Sequence, residues 1–287
     1  MIHTFFNPSN SINCRGKLFD LSSPKVMGII NITPDSFYSE SRFIGKESVI
    51  TRANQIIDDG GHIIDIGAYS SRPGADHIDQ NVEWNRLAPV LENIRKVHPN
   101  AILSVDTFRA NIAKKAVTQF EVDIINDISA GSMDAEMVAT IAALKVPYII
   151  MHMQGTPQTM QIAPQYEHLM KEVFLYFAKK VEELTKLGVA DIIIDPGFGF
   201  GKNLDQNFEL LSKLDEFKIF ELPILVGLSR KSMIYQLLNQ TPKESLNGTS
   251  VLNAIALRNG AKILRVHDVK EAVETVVLHE KLKSVLK

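Results

Sequence analysis

Eight short apolar runs recur along this 287-residue chain, and each ends on or near a polar side chain. In chain order these are Asn31, Asp65, Asp106, Asn126, His152, Asp195, Ser229 and His267. Any one of them fits a residue that caps a strand and enters a loop. Eight together, three aspartates and two asparagines among them, fit a polar ligand site if the fold brings their ends to one place.

The loops that follow add further groups. After the first run, "NITPDSF" (31–37) offers the neutral oxygen of Asn31 and the charged one of Asp35, a pair suited to Mg²⁺. It also fits a plain Asx/Pro turn. After the second, "GAYSSRPGA" (67–75) carries hydroxyls and Arg72 before a Pro-Gly turn, which fits a loop over an anion or an exposed loop. Asp106 ends "AILSVD" and fits a helix cap equally well. "LSRKS" (228–232) and "RVH" (265–267) set Arg230, Lys231, Arg265 and His267 after the last two runs. Extended alternation points Arg265 and His267 to the same side of Val266. His152 has no second His or Cys at metal-ligand spacing, and Met151 and Met153 beside it read as an apolar wall.

"DIIIDPGFGFGK" (191–202) is a near miss for a phosphate loop. Pro196 stands where the first glycine of G-x-x-x-x-G-K-[ST] belongs, and Asn203 replaces the Ser/Thr. The glycines read as a tight turn leaving a strand. That leaves Asp195, an ionised carboxylate at the end of an apolar strand, in need of donors.

The runs that must position these groups are "KVMGIIN" (25–31), "HIIDIG" (62–67), "AILSVD" (101–106), "VDIINDI" (122–128), "VPYIIMH" (146–152), "DIIID" (191–195), "PILVGLS" (223–229) and "AKILRVH" (261–267). Continuous Ile/Val runs fit parallel strands buried on both faces. Helical periodicity fills most gaps between them, as in Leu87, Val90, Leu91, Ile94 and Val97, with Asp79 and Asp134 as predicted N-caps. Eight βα units predict an α/β fold, a (β/α)8 TIM barrel whose strand ends converge on one face. A doubly wound open sheet is the rival. The barrel forms one domain over 1–287, with residues 1–24 as an N-terminal extension and 25–287 as the barrel. "NCRGKLFDL" in the extension is predicted to be a hairpin closing the barrel bottom.

A net charge of −2 does not favour nucleic acid or an anionic membrane as a bulk partner. No run approaches the ~20 apolar residues of a bilayer span. A lone cysteine, Cys14, precludes an intrachain disulfide, and a cytoplasmic protein is the expectation.

"NITPDSF", "SSRPGA", "SVDTFRAN", "IINDISAG", "MHMQGTP", "DPGFGFGK", "GLSRKS" and "RVHDV" resemble, in order and spacing, the motifs of the dihydropteroate synthase family, from about residue 24 to the C-terminus. The resemblance implies a transferase of folate synthesis, the target of sulfonamides. It joins 6-hydroxymethyl-7,8-dihydropterin diphosphate to 4-aminobenzoate, giving dihydropteroate and pyrophosphate. It implies a pterin pocket of Asp106, Asn126, Asp195 and Lys231, with Met151 and Arg265 on the two ring faces. It implies Mg²⁺ on Asn31, the diphosphate on Asn31, Ser71, Arg72, Arg265, Val266 and His267, and the aminobenzoate among Phe37, Ser71, Pro73, Phe200 and Ser229. Asp35, Arg72, Asp106, Lys231, Arg265 and His267 form the implied catalytic set, and a homodimer the implied assembly. The family usually shows "GGEST" where this chain has Gly67-Ala68-Tyr69-Ser70-Ser71. The alternatives are a pterin-dependent methyltransferase, which needs a corrinoid or thiol-activating partner, and a catalytically silent pterin-binding paralogue.

Overall fold

A computed structural model describes residues 10–32, 42–70, 77–157, 159–160 and 164–285. The chain opens with two antiparallel strands, β1 (Ser11–Cys14) and β2 (Lys17–Asp20). Strands and helices then alternate: β3 (Lys25–Asn31), α1 (Arg42–Asp58), β4 (Ile63–Gly67), α2 (Gln80–Val97), β5 (Ile102–Asp106) and α3 (Ala110–Phe120). They continue with β6 (Ile124–Asp127), α4 (Met137–Leu144), β7 (Tyr148–Met151), α5 (Leu169–Lys186), β8 (Ile192–Asp195) and α6 (Leu204–Ser212). The last are β9 (Leu225–Val226), α7 (Ser232–Tyr235), α8 (Leu246–Arg258), β10 (Ile263–Val266) and α9 (Val269–Val285), with a 3₁₀ turn at Leu214–Phe220 before β9.

The parallel strands run β8-β7-β6-β5-β4-β3-β10-β9, and an Ile194–Ile224 bridge joins the two edges. The predicted barrel is therefore the observed fold. β9 is shorter than the predicted 223–229, because the chain turns at Leu228–Lys231, where Lys231 N–H donates to the Leu228 carbonyl at 3.2 Å.

Alternation divides each strand between two cores. Outward residues such as Ile64, Val105, Ile125, Ile150, Ile194 and Val266 pack with the helices. Inward residues at the strand starts, Met27, Ile63, Ile124, Ile149, Ile193, Leu225 and Ile263, form a separate apolar floor. Ile12, Cys14 and Leu21 of the N-terminal segment complete that floor from below, so the predicted hairpin does close the barrel bottom. Burying each such side chain is worth roughly 1.5–3 kcal/mol. Burial pushes the Cys14 thiol up to about 12, helped by the Asp123 and Asp191 carboxylates, so it stays protonated. Asp123, fully buried, ties the hairpin to the barrel by accepting from Arg15 Nε (2.7 Å), Arg95 Nη2 (3.2 Å) and Leu103 N–H (2.8 Å).

Asp79 caps α2 as predicted, accepting from Asn81 N–H at 2.7 Å. Asp134 does not occupy the capping position of α4, which falls on Glu136. Its carboxylate accepts instead from Glu136 N–H (3.0 Å) and from Ala110 N–H at the start of α3 (2.8 Å), donors that helix starts leave open. Val269, Ala272 and Val276 on α9 are buried, so that face is intrachain core.

Candidate active site

One step along each strand changes the character of the barrel interior. Two residues beyond the floor, the same inward faces carry Asp65 after Ile63, Ser104 after Ile102, Asn126 after Ile124, Met151 after Ile149, Asp195 after Ile193 and Arg265 after Ile263. Asp106 extends this layer toward the mouth, in register with Asn126 on one side and Gly67 on the other. A polar layer thus rests directly on a sealed apolar one.

Arg265 organises the layer. Its Nε donates to Asp65 Oδ2 at 2.6 Å and its Nη2 to Asp106 Oδ2 at 2.8 Å. Asn126 Nδ2 also donates to Asp65 Oδ2, at 3.3 Å, while the buried Asp65 Oδ1 has no hydrogen-bond partner among the described residues. Burial opposes the Arg265 charge, but the carboxylates of Asp65 and Asp106 more than offset it and raise its pKa. Burial pushes Asp106 above the usual carboxylate range; Arg265 pulls it back and Asp65 adds to the rise.

On the opposite side, Asp195 lies in register with Met151. Its Oδ1 accepts from Gly197 N–H at 2.8 Å. Gly197 has φ +74°, and a Cβ there would stand 2.0 Å from the His152 carbonyl oxygen, so only glycine makes this turn. Burial raises the Asp195 pKa against the pull of Lys231. Burial likewise draws Lys231 down to about 8 despite Asp195. Lys231 Nζ donates to the Phe198 carbonyl and sits 4.6 Å from the centre of the Phe200 ring. Met151 and Phe200 belong to one apolar patch with Tyr69 and Phe108.

The two cations of "SRK" part company. Arg230 takes a left-handed backbone (φ 55°) and turns outward, where Asp268 accepts from its Nε (2.9 Å) and Nη2 (2.7 Å). His267 does not share the contacts of Arg265, contrary to the alternation, because β10 ends at Val266. Its N–H donates to Ser229 Oγ at 3.2 Å, and its side chain lines a cleft of about 380 Å³ with Arg52, Arg230, Pro242, Lys243 and Asp268. Burial lowers the His267 pKa to about 4, with Arg265 adding to the drop, so the ring is neutral at neutral pH. The Val266 side chain is buried in the outer core, which leaves its main chain as the part able to meet a ligand. Asn31 ends β3 half-buried, opposite Gly67.

His152, counted among the strand ends, turns away from the mouth. Its ring packs edge-on to Tyr176 at 4.9 Å, and its Nδ1 lies 3.0 Å from Lys202 Nζ. Asp35, Phe37, Ser71, Arg72 and Pro73 lie outside the described residues. The sequence marks Asp65 only as one of the eight polar strand ends, with no partner assigned, and gives Lys202 no role. It passed over Arg52, whose mid-helix position carries no signal at all.

The motif that binds these positions has relatives. Residues 27–267 match the family model described as pterin binding enzyme. The chain is 44% identical over 264 residues to a dihydropteroate synthase of Escherichia coli K12, covering 91% of this chain and 93% of that protein. The chain belongs to the dihydropteroate synthase family. Another member, from Synechocystis, is 42% identical over 85% of each chain. Among solved dihydropteroate synthases, one of Yersinia pestis in a sulfonamide complex superposes with a TM-score of 0.89 at 39% identity, over 96% of this chain and 99% of that one. One of Xanthomonas albilineans, with 4-aminobenzoic acid, superposes with a TM-score of 0.88 at 32% identity, over 96% and 98%.

Proposed function

We infer that this chain condenses 6-hydroxymethyl-7,8-dihydropterin diphosphate with 4-aminobenzoate, giving 7,8-dihydropteroate and pyrophosphate for folate synthesis. The observation that carries the reading is the polar layer above the floor, with Asp106, Asn126, Asp195, Lys231 and Arg265 on its inner face. A pterin edge sets N–H donors beside acceptors. Carboxylates and an amide pair with such an edge, and Lys231 supplies a donor to a ring acceptor. Met151 and the Arg265 guanidinium offer an apolar and a cationic face for the ring.

The reaction breaks the C–O bond between the pterin methylene and the diphosphate. It forms a C–N bond to the arylamine, whose proton passes through solvent to the released pyrophosphate. If departure leads, the methylene becomes cationic, and the Asp106 and Asp195 carboxylates favour it. The arylamine is a weak base, so positioning contributes more than a strong general base. The leaving diphosphate belongs near Asn31, Arg265 and His267, with Arg72 from the loop after β4. No cluster of three His, Cys, Asp or Glu suited to a metal occurs among the described residues. The amide oxygen of Asn31 would instead offer one ligand to Mg²⁺ brought in by the diphosphate. A divalent cation held there would supply charge neutralisation to the leaving group.

The assembly we infer is a homodimer in the cytoplasm. Val251 and Ile255 on α8, and Val277, Leu278, Leu282 and Val285 on the adjoining α9, are exposed apolar side chains that a second copy would cover. No helix among the described residues is long and apolar enough to cross a membrane.

The test is an assay of pyrophosphate release from the pterin diphosphate, 4-aminobenzoate and Mg²⁺. Release that requires both organic substrates is expected. No release at micromolar enzyme would overturn the reading.

A further inference from the structure

Lys202 ends the glycine-rich turn that follows β8. Its side chain is buried, with 3% of its surface exposed. Its Nζ is within hydrogen-bond distance of the Gly197 carbonyl (3.0 Å), the Phe200 carbonyl (3.1 Å), the His152 carbonyl (3.3 Å) and His152 Nδ1 (3.0 Å). A buried cation with this many acceptors from two loops is a fastening point: it satisfies carbonyls that a tight turn would otherwise leave unpaired in the interior.

Two features of the turn connect that point to the ligand pocket. The Gly197 peptide groups are held at both ends, its N–H by Asp195 Oδ1 (2.8 Å) and its carbonyl by Lys202 Nζ (3.0 Å). Phe200, whose carbonyl Lys202 also holds, carries the ring that lies 4.6 Å from Lys231 Nζ. Asn207 secures the same turn from its outer side. Its Oδ1 accepts from Gly199 N–H at 2.7 Å, and its Nδ2 donates to the Lys202 carbonyl at 3.1 Å.

We propose that Lys202 is a positioning residue of the pterin pocket, which sets the Asp195 carboxylate and the Phe200 ring by drawing the carbonyls of the 197–200 turn to one buried ammonium. The proposal rests on the pterin reading of Asp195. It explains why a lysine ends a turn that lacks the spacing to cradle a phosphate: the turn's own carbonyls are its ligands.

A double-mutant cycle on the full chain tests this, with the Kd of 6-hydroxymethylpterin measured by calorimetry for the parent, Lys202→Met, Asp195→Asn and the double variant. Lys202→Met is expected to weaken binding about tenfold, and by less than about threefold once Asp195 is already changed, because both act through Gly197. A role confined to stability predicts unchanged binding by the folded Lys202→Met variant, and an independent effect on binding predicts losses that multiply. Multiplying losses, or Lys202→Met binding within about twofold of the parent, would overturn the proposal and leave the pterin site standing. Unchanged binding in Asp195→Asn would overturn the pterin reading and this proposal with it. Should Lys202→Met lack a cooperative melt, Lys202→Gln keeps two N–H donors on a shorter arm. It is expected to give a smaller loss with the same coupling, and additive losses there overturn the proposal equally.

Discussion

Arg265 Nε lies 2.6 Å from Asp65 Oδ2, joining two residues 200 positions apart across the barrel interior. Asp65 is fully buried and accepts from Asn126 as well, with that guanidinium as its ion-pair partner. Arg265→Met should destabilise the fold by roughly 3–5 kcal/mol, because it strands a buried carboxylate. Adding Asp65→Asn to the same chain should recover part of the loss. Urea unfolding of the single and double variants measures both, and equal stability of the two would refute the contribution of that pair.

Asp195→Asn keeps the side-chain shape but turns an acceptor into a donor facing ligand donors. It should weaken pterin binding by roughly 2–5 kcal/mol while changing the melting temperature little. Calorimetric Kd values within about threefold of the parent would argue that Asp195 does not meet the ring.

His267→Ala should weaken the pterin diphosphate far more than the unphosphorylated pterin, since the ring lines the basic cleft and not the polar layer. Arg265→Ala should weaken both, because its guanidinium reaches the carboxylates of the pocket. Equal losses for the two ligands in His267→Ala would move the anion elsewhere.

Burial draws Lys202 down to about 7, opposed by Asp195. The unfolded chain, with an ordinary lysine near ~10.4, binds more protons between these values. Unfolding free energy should therefore rise with pH across that window, by at most about 1.4 kcal/mol per pH unit from this group. Urea unfolding at pH 7, 8 and 9 should show a shallower rise in Lys202→Met. An identical slope would place the lysine's pKa outside the window.

Much of this was legible in the chain. Ile and Val runs mark the strands because both strand faces are buried, and the polar ends of those runs mark Asp106, Asn126 and Asp195 as residues that converge at one end of the barrel. The Cys14-Arg15-Gly16-Lys17 turn announced the hairpin. What stayed hidden depends on direction after a strand ends. His152 occupies a strand-end position, yet the turn through Gly197 and the rings of α5 swing it outward. Arg230 and Lys231 are neighbours that a left-handed residue sends to different environments. The Asp65–Arg265 pair joins the second and last barrel strands, a contact that no local pattern encodes.

The floor completed by Ile12, Cys14 and Leu21 has a kinetic meaning. A passage sealed at one end has a single doorway. Whatever enters must come in by the rim, and each product must leave the same way. A substrate held deep in such a chamber and one held near its rim would share a single threshold. Two guests joined inside such a vessel leave it as one, by the rim through which they entered.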